Sequence, residues 1–527
     1  MFTTIRYFLL FTCTLHTFAA TVLINTTISL HPLRANFASL GWEPIWALAL
    51  LPNLSDPRLI RAASALSPAT LRLGGISAQW MQYTGAGGPL PPPQAPFGEG
   101  CVEQGWPPQQ ENFTLSQLRN ITLFAAAANL TLMLDLNELY GRTCNSSSGR
   151  WTGCFCTGSL DTSNARALLE ALRDEGLAGG AATGAPLRFF ELGNEMISHI
   201  GAATNVADVR AVAAVLQSVF NMTPPAERPQ LYAPGTDFCT SADQLQIMEN
   251  ITGVQGVAGF SFHAYPAGSG QGGNALAKLL LDPTWLRRGL MGPGTHAGDC
   301  LGAWDAQGGP RARGLDLWVS ETSSSFNILP APAQNSFLHG MFTLAALGQF
   351  AATGVGVVAT WAFSEPTTFA KLAPSADGAR WEAAPDYFLL VAHKRAVGDA
   401  VLAVDDGGSG SPLVFGACGV AGNGSVAVLA VNPANVSVPL TFAASSNGTR
   451  IPSTPRLEYV FTTVGDILSS NASRLNGGPP LQLMNDGGLP DDLAPAFVPA
   501  GGADAQLPPF SQAIFVLLDA GAAACLK

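Results

Sequence analysis

The feature that most constrains the fold is an alternation of short apolar segments with longer helical segments between about residues 35 and 395. This alternation is typical of repeated β-α units. It yields eight candidate strands, at residues 36–40, 70–74, 130–136, 187–192, 230–234, 259–265, 316–321 and 354–363. Eight such strands, with intervening helices such as 164–175 and 206–220, predict a closed (β/α)8 barrel of the α/β class. Its active site is expected at the carboxyl ends of the strands.

After residue 395 the sequence changes to short alternating segments separated by Gly, Pro, Asn and Asp. Segments of this kind predict an accessory C-terminal antiparallel β-sandwich, with strands near 425–431, 436–442, 457–462 and 513–518. A strand-like stretch at 21–30 precedes the barrel and is expected to join the same sheet. The predicted organisation is a signal peptide at 1–20, a catalytic barrel at 36–395, and a β-sandwich domain formed by 21–35 together with 396–527.

The N-terminus has the pattern of a signal peptide. Arg6 precedes an apolar run over residues 7–18, and the small pair Ala19 and Ala20 follows it. The alternative, a transmembrane anchor, requires about 20 apolar residues, and this stretch is shorter and interrupted by polar side chains. Twelve Asn-x-Ser/Thr sequons agree with passage through the secretory pathway. The expected location is extracellular, in a cell wall, or in a lysosome or vacuole, and peripheral association with a membrane or cell wall is left open.

Charge and cysteine content exclude some classes of function. The formal net charge of −11 argues against nucleic acid as a partner. Removal of the signal peptide takes Cys13 away and leaves eight of the nine cysteines, an even number that an oxidising compartment tends to pair. Cys144, Cys154 and Cys156 lie close together, but no second Cys or His pair has the spacing of zinc ligands. Disulfides are therefore expected there, and no metal site.

Two glutamates interrupt apolar strands where a barrel holds its active site. Glu195 follows strand four, and Glu321 ends strand seven, which faces strand four across a barrel. Carboxyl groups about 5 Å apart in this arrangement perform retaining glycoside hydrolysis. Glu195 would then keep its proton near neutral pH, and Glu321 would stay ionised to attack the anomeric carbon. A single glutamate at a strand end is more often a solvated loop residue, so the catalytic interpretation depends on the pair.

Three neighbouring residues are candidates to support this chemistry. Arg72 on strand two is expected to reach the barrel centre and favour the charged form of Glu321. Tyr265, at the end of strand six, is expected to donate a hydrogen bond that orients the same carboxylate. Asn194 is expected to contact the 2-hydroxyl of the sugar, a contact that strengthens in the transition state.

Two further titratable residues have other expected roles. Glu191 lies four residues before Glu195, and we expect it to form a structural ion pair. His263 is interpreted as a hydrogen-bonding residue at the rim of the site. A proton shuttle or a metal ligand remains an alternative role for His263.

The chain resembles the heparanase and β-glucuronidase group of retaining glycosidases, glycoside hydrolase family 79, and especially its plant heparanase-like members. The resemblance is carried by the motifs Asp135-Leu-Asn137, Glu191-Leu-Gly-Asn-Glu195, Trp318-Val-Ser-Glu-Thr322 and Pro385-Asp-Tyr387, and by residues 53–57, 66–75, 458–459, 475–478 and 507–511. It implies a (β/α)8 barrel with a β-sandwich, and a disulfide between Cys418 and Cys525. It assigns Glu195 as acid/base and Glu321 as nucleophile. The substrate-binding residues predicted for the site are Arg72, Asn137, Asn194, His263 and Tyr265.

This chain departs from the family pattern in the sugar-recognition positions. Gly41, with Glu43 nearby, stands where the family has an aspartate at the end of strand one, and Ile76 stands where a hydroxyl residue is usual. Asn327-Ile328 replaces a glycine pair, and residues 361–369, which include Glu365, replace a Gly-Asn-Tyr motif. Residues 111–131 hold Arg119 as their one cation. These departures weaken the expectation of glucuronate specificity and argue against heparan sulfate.

Three hypotheses follow for the function. The first is a secreted retaining β-glycosidase of the β-glucuronidase type, acting on a glycan or proteoglycan. The second keeps the two-glutamate mechanism but acts on a neutral β-glycoside. The third is a glycan-binding protein on an inactive enzyme scaffold. No metal or organic cofactor is implied, because carboxyl chemistry on a glycosidic bond supplies both the nucleophile and the proton donor.

Overall fold

The structure is a computed structural model. It describes residues 20–85, 101, 111–146, 154–180, 184–237, 242–268, 274–289, 309, 313–326, 336–365, 369–407, 412–444, 451 and 454–526. Residues 1–19 of the predicted signal peptide, Cys239, Cys300 and the pair Asn327-Ile328 lie outside these ranges. Among the helices that the structure describes, none has the length and apolar composition needed to cross a membrane.

Strands and helices alternate through the first three quarters of the chain, and strands dominate the remainder. The strands in chain order are β1 (Ala20–Pro32), β2 (Ala38–Trp42), β3 (Thr70–Leu73), β4 (Met81–Thr84), β5 (Glu111–Thr114), β6 (Thr131–Leu136), β7 (Thr143–Ser146), β8 (Cys154–Thr157), β9 (Leu187–Leu192), β10 (Gln230–Asp237), β11 (Val257–Ala264), β12 (Asp316–Thr322), β13 (Val357–Thr360), β14 (Leu372–Pro374), β15 (Trp381–Ala383), β16 (Val397–Asp405), β17 (Leu413–Gly419), β18 (Val426–Asn432), β19 (Val438–Ala444), β20 (Arg456–Thr463), β21 (Ser473–Leu475), β22 (Ala496–Val498), β23 (Ala505–Leu507) and β24 (Ser511–Leu517). The α-helices are α1 (Pro44–Ala49), α2 (Pro57–Ser64), α3 (Leu115–Ala127), α4 (Ser163–Asp174), α5 (Ile197–Ile200), α6 (Ala202–Val219), α7 (Ala242–Ile251), α8 (Asn274–Leu280), α9 (Pro283–Gly289), α10 (Phe337–Ala352) and α11 (Pro385–Ala396).

Eight parallel strands close into a barrel in the order β2-β3-β6-β9-β10-β11-β12-β13. All eight coincide with the strands predicted from the sequence, so the (β/α)8 prediction is confirmed. The last strand is shorter than the predicted residues 354–363, because Gly354, with a φ of 74°, still belongs to the turn after α10. One interior layer of the barrel is filled by Met133, Tyr232, Trp318 and Val357, which are all buried. The barrel interior is therefore a packed core and not a channel. The carboxyl ends of the eight strands form an opening above this core, here called the mouth.

Ten of the remaining described strands form one sheet. Its order is β21-β20-β24-β18-β17-β16-β1-β19-β23, with β22 also paired to β20. One face of this sheet surrounds a buried cluster to which both β1 and the C-terminal strands contribute, including Val22, Val428, Leu440 and Phe515. The strand β1 pairs antiparallel with β16 and parallel with β19, so the N-terminal segment does join the C-terminal sheet.

Helix α10 connects the barrel to this sheet. It packs against β17 and β18 on one side and against α11 on the other. Fifteen of its sixteen residues are buried. A helix that is apolar around its whole circumference requires such a position between two layers.

Disulfides account for the described cysteines. Cys101 pairs with Cys154, and Cys144 pairs with Cys156, which confirms disulfides in the cluster where a metal site was the alternative. Cys418 pairs with Cys525, as the family resemblance implied.

Loss of the C-terminal disulfide is expected to destabilise the protein strongly. Cys418 and Cys525 are 107 residues apart, so the bond restricts a long loop in the unfolded chain. The double variant Cys418→Ser with Cys525→Ser is expected to lose about 4 kcal/mol of unfolding free energy, measured by urea denaturation. An unchanged urea midpoint would show that the bond contributes no stability.

Candidate active site

A buried arginine organises the carboxyl end of the barrel. Arg72, in β3, has a fully buried side chain, and its Nε lies 2.5 Å from Glu191 Oε2. Its Nη1 lies 2.6 Å from Glu321 Oε2, and its Nη2 donates to Asn194 Oδ1 at 2.9 Å. The contact with Glu321 and the structural ion pair of Glu191 are those expected from the sequence. One guanidinium therefore joins the second, fourth and seventh barrel strands.

Glu321 faces the barrel interior because of a β-bulge. Phe262 pairs with Val319 while His263 pairs with Glu321, so Ser320 is an extra residue in β12. In a regular strand, residues three positions apart point to opposite faces, so Glu321 would point away from the barrel interior, where Trp318 is buried. The extra residue restores Glu321 to the same face as Trp318. The bulge directs the carboxylate to Arg72, and the hydroxyl of Tyr265 donates a hydrogen bond to its second oxygen.

Glu195 lies beyond the end of β9, across the mouth from Glu321. Its φ is 59°, and its backbone N–H donates to Gly235 O at 2.8 Å, which turns the side chain over the barrel. One carboxyl oxygen lies 2.8 Å from His263 Nδ1, and 35% of the side chain remains exposed. Withdrawal from bulk water raises the pKa of Glu195 to about 7, although the charge of Arg72 opposes the rise. This carboxyl can therefore hold a proton near neutral pH.

The position of His263 corrects one prediction. His263 was expected at the rim, but it is buried, because β11 carries it inside the mouth beside Glu195. One atom each of His263, Glu195 and Glu321 all lie within 4.8 Å of one another. An imidazole with two carboxylates can bind a transition metal. However, Arg72 and Tyr265 already occupy both oxygens of Glu321, so we assign no metal to this group.

The separation of the two glutamates has a direct chemical meaning. Oxygens of Glu195 and Glu321 lie within 4.8 Å of each other across the barrel mouth. Retaining glycosidases place their carboxyl groups about 5–5.5 Å apart, whereas inverting enzymes leave about 6.5–9.5 Å for a water molecule. The geometry is therefore suited to direct attack on a sugar by one of the two side chains.

Asp135 is the site residue that the sequence analysis passed over. Its Oδ2 lies 3.7 Å from Arg72 Nη2 and accepts a hydrogen bond from Gln79 Nε2 at 3.3 Å. The predicted member of the same motif, Asn137, instead bonds the backbone of Met81 and of Leu139. The sequence did contain a signal for Asp135, because an aspartate within an otherwise apolar strand is expected to be buried and a buried carboxylate requires a partner. Substrate binding by Asn137 remains a prediction.

Two glycines at the mouth are explained by what lies against them. A Cβ on Gly41 would come within 2.5 Å of the Trp361 ring, so an aspartate at position 41 would clash with that indole. A Cβ on Gly75, whose φ is 132°, would come within 2.0 Å of Glu43 Oε2. At the carboxyl end of the first barrel strand, the Trp361 indole and the Glu43 carboxyl therefore lie where the family has an aspartate. Glu365 is also buried at this end of the chain's last barrel strand.

Removal of the central guanidinium is expected to destabilise the barrel. Arg72→Met would leave the carboxyls of Glu191 and Asp135 buried without a cation, at a cost of about 3–5 kcal/mol of unfolding free energy. The folded-state pKa of Glu191, which the charge of Arg72 keeps low against the effect of burial, would rise above the unfolded value, and that of Asp135, already raised by burial, would rise further. The deficit is thus expected to be largest at neutral pH and to shrink as pH falls, measured by denaturation at several pH values. The control Arg119→Met removes an exposed ion pair with Glu175, and equal losses in the two variants would contradict this role.

Comparison with known proteins identifies the family. The model of the glycosyl hydrolase family 79 N-terminal domain matches residues 20–348, which is more than half of the chain. The chain belongs to glycoside hydrolase family 79. This confirms the resemblance seen in the sequence and makes the protein a glycoside hydrolase.

Two curated relatives of this family 79 member are distant but cover most of the chain. A protein from Hirudo nipponia named hyaluronoglucuronidase is 23% identical over 96% of this chain and 98% of its own length. A protein from Scutellaria baicalensis named baicalin-β-D-glucuronidase is 22% identical over 85% of this chain and 80% of its own length.

Solved structures share the fold of the family 79 chain at low identity. A 4-O-α-L-rhamnosyl-β-D-glucuronidase from Fusarium oxysporum 12S superposes with a TM-score of 0.62 and 14% identity, and covers 94% of this chain and 100% of its own. An α-L-arabinofuranosidase from Thermotoga maritima has a TM-score of 0.58 and 12% identity, with 94% and 99% covered. These likenesses support the barrel with its accessory sheet.

Proposed function

We propose that the protein is a retaining β-glycosidase that cleaves β-glucuronides by a double displacement, with Glu321 as the nucleophile and Glu195 as the acid/base. The observation that carries the proposal is the approach of the two carboxyl groups to within 4.8 Å across the barrel mouth. A glycan-binding protein has no chemical need for two opposed carboxyls, one with its pKa raised to about 7 and the other held by Arg72 and Tyr265.

The first step forms a covalent intermediate. A Glu321 oxygen attacks the anomeric carbon while the bond to the leaving oxygen breaks and Glu195 transfers its proton to that oxygen. The second step reverses these roles. Glu195, now a carboxylate, takes a proton from water, the water oxygen bonds to the anomeric carbon, and the ester bond to Glu321 breaks. In this proposal Asn194, whose Oδ1 accepts a hydrogen bond from Arg72 at 2.9 Å, contacts the 2-hydroxyl of the sugar.

The substrate class rests on the relatives, two of which carry names that specify a glucuronidase. A second candidate, a neutral β-glycoside, is favoured by the carboxyls of Glu43 and Glu365 near the mouth. In their ionised forms both would repel the carboxylate of a uronate.

We also propose that the protein enters the secretory pathway after loss of residues 1–20, as the signal-peptide pattern and the disulfides support. The proposed domains are the barrel at 36–395 and the accessory β-sandwich formed by 21–35 with 396–527.

Covalent trapping tests the mechanism. A 2-deoxy-2-fluoro-β-glucuronyl fluoride is expected to inactivate the enzyme and to label the peptide that contains Glu321, as identified by mass spectrometry. Turnover of 4-nitrophenyl β-glucuronide is then compared with that of the matched glucoside, galactoside and xyloside. A faster glucoside or xyloside would select the neutral substrate. No turnover of any glycoside, together with saturable binding on a glycan array, would overturn the proposal in favour of the binding protein.

A further inference from the structure

Four buried polar side chains lie in series behind the nucleophile, and the proposed mechanism does not use them. Ser323 stands two residues after Glu321, and its hydroxyl oxygen lies 2.9 Å from Nε2 of His339, near the start of α10. His339 Nδ1 lies 2.9 Å from Asp386 Oδ2 in α11, and the same oxygen lies 2.8 Å from Lys371 Nζ. All four residues are buried, and together they are here called the buried network. The network links the end of β12 to the first turns of α10 and α11.

The protonation states fix the direction of each hydrogen bond in the buried network. Although burial raises it, the charge of Lys371 and the hydrogen bond from His339 lower the pKa of Asp386 to about 2, so this carboxylate accepts. Burial lowers the pKa of His339, so its imidazole is neutral near pH 7. Its Nδ1–H therefore donates to Asp386, and its Nε2 accepts a hydrogen bond from the Ser323 hydroxyl. A single tautomer of His339 satisfies both neighbours.

The buried network returns to the mouth through the backbone of Trp361. Lys371 Nζ donates to Trp361 O at 2.7 Å, and the Trp361 N–H donates to Thr322 O at 2.8 Å. Because Thr322 lies between Glu321 and Ser323 in the sequence, these bonds complete a closed ring. The ring joins the ends of the seventh and eighth barrel strands. A shift of the strand end that carries Glu321 would leave buried polar groups without partners, which is costly.

The order Ser-His-Asp is also that of a hydrolytic triad. Ser323 is 0% exposed, so a carbonyl substrate cannot reach its hydroxyl. The Asp386 carboxylate is also paired with Lys371, which weakens the negative charge that a triad uses to stabilise its imidazolium. The arrangement therefore fits a positioning role and not acyl transfer.

We propose that His339 is a positioning residue for the nucleophile. Through Ser323 it holds the end of β12 where a Glu321 oxygen lies within 4.8 Å of Glu195. This inference rests on the proposed glycosidase function. Attack on the anomeric carbon requires close alignment of the reacting atoms, and a misplacement of about 1 Å can cost about 100-fold in rate. His339 thus acts on the reaction through Glu321, without contact with the sugar.

Two variants open the ring and leave the ion pair between Asp386 and Lys371 in place, namely Ser323→Ala and His339→Leu. Covalent labelling is followed with the 2-deoxy-2-fluoro-β-glycosyl fluoride that matches the preferred substrate. The rate constant of labelling at saturation is expected to fall by about 10- to 100-fold. The concentration that gives half of the maximal rate is expected to change little, because the groups that bind the sugar remain. His339→Gln, whose amide offers one acceptor and one donor, is expected to label faster than His339→Leu.

Ser39→Ala is the matched control, because it removes a buried serine hydroxyl at the opposite end of the barrel. Ser39 Oγ donates to Asn36 O at 2.6 Å, near the start of β2. This variant is expected to label at the wild-type rate even where its unfolding midpoint falls, since the rate constant does not depend on the fraction of enzyme that is folded. A wild-type rate constant in Ser323→Ala, or an equal fall in Ser39→Ala, would overturn the positioning role. If the wild type forms no adduct on Glu321, the glycosidase proposal fails instead.

Discussion

Glu321→Gln is expected to lower kcat/KM for an aryl β-glycoside by about 10⁴-fold or more. The amide cannot form the ester that carries the reaction through two easier steps, although its size is nearly the same and its one oxygen can still accept a hydrogen bond from Arg72. Steady-state hydrolysis measures the loss, and mass spectrometry is expected to show no fluorosugar adduct on the variant.

Glu191→Gln serves as a comparison for this variant, because Glu191 also bonds Arg72 but lies fully buried below the mouth. It is expected to reduce stability more than it reduces formation of the covalent adduct. Hydrolysis by Glu321→Gln at a rate close to that of the wild type would contradict the assignment of the nucleophile.

Glu195→Gln is expected to lower kcat/KM by about 10²–10⁴-fold for substrates with a poor leaving group. The loss is expected to be much smaller for an activated leaving group such as dinitrophenolate, which departs without a proton. This dependence on the leaving group distinguishes an acid catalyst from a residue that only binds the sugar, and it is measured with a series of aryl glycosides of graded leaving-group pKa.

The pH profile gives an independent check on Glu195. Glycosylation needs the protonated carboxyl, and its pKa is raised to about 7 by withdrawal from water. The wild-type rate of this step is therefore expected to fall as pH rises through about 7, and Glu195→Gln is expected to lose this basic limb. A basic limb that persists in the variant would assign the titration to another group.

Strand positions were predictable because burial leaves a strong pattern in the sequence. Most barrel strands have short, largely apolar segments of the length that a strand buried on both faces requires, although β3 (Thr-Leu-Arg-Leu) carries the polar Thr70 and Arg72. Helix α10 is apolar around its whole circumference, which marks a buried position, but the sequence does not say which two layers it separates. These layers became known only from the tertiary structure, in which the C-terminal sheet packs against α10.

Side-chain direction within the site was less predictable. Glu195 and Glu321 stood out because each follows apolar residues at a strand end, and their facing positions follow from strand order alone. The position of His263 was predicted wrongly and Asp135 was not predicted as a site residue, because the role of each depends on which side chain it contacts. His263 is buried against Glu195, and Asp135 lies near Arg72 while Asn137 bonds the backbone.

By itself the sequence determined the number and order of the strands, the family, and the two carboxyls at opposite strand ends, because these depend on local pattern and on chain connectivity. Only the tertiary structure decided that those carboxyls meet. The bulge at Ser320 directs the side chain of Glu321 into the barrel interior. The positive φ of Glu195 directs its side chain over the barrel mouth. Both depend on pairing between distant strands, since a shift of one residue moves a side chain to the opposite face of a sheet.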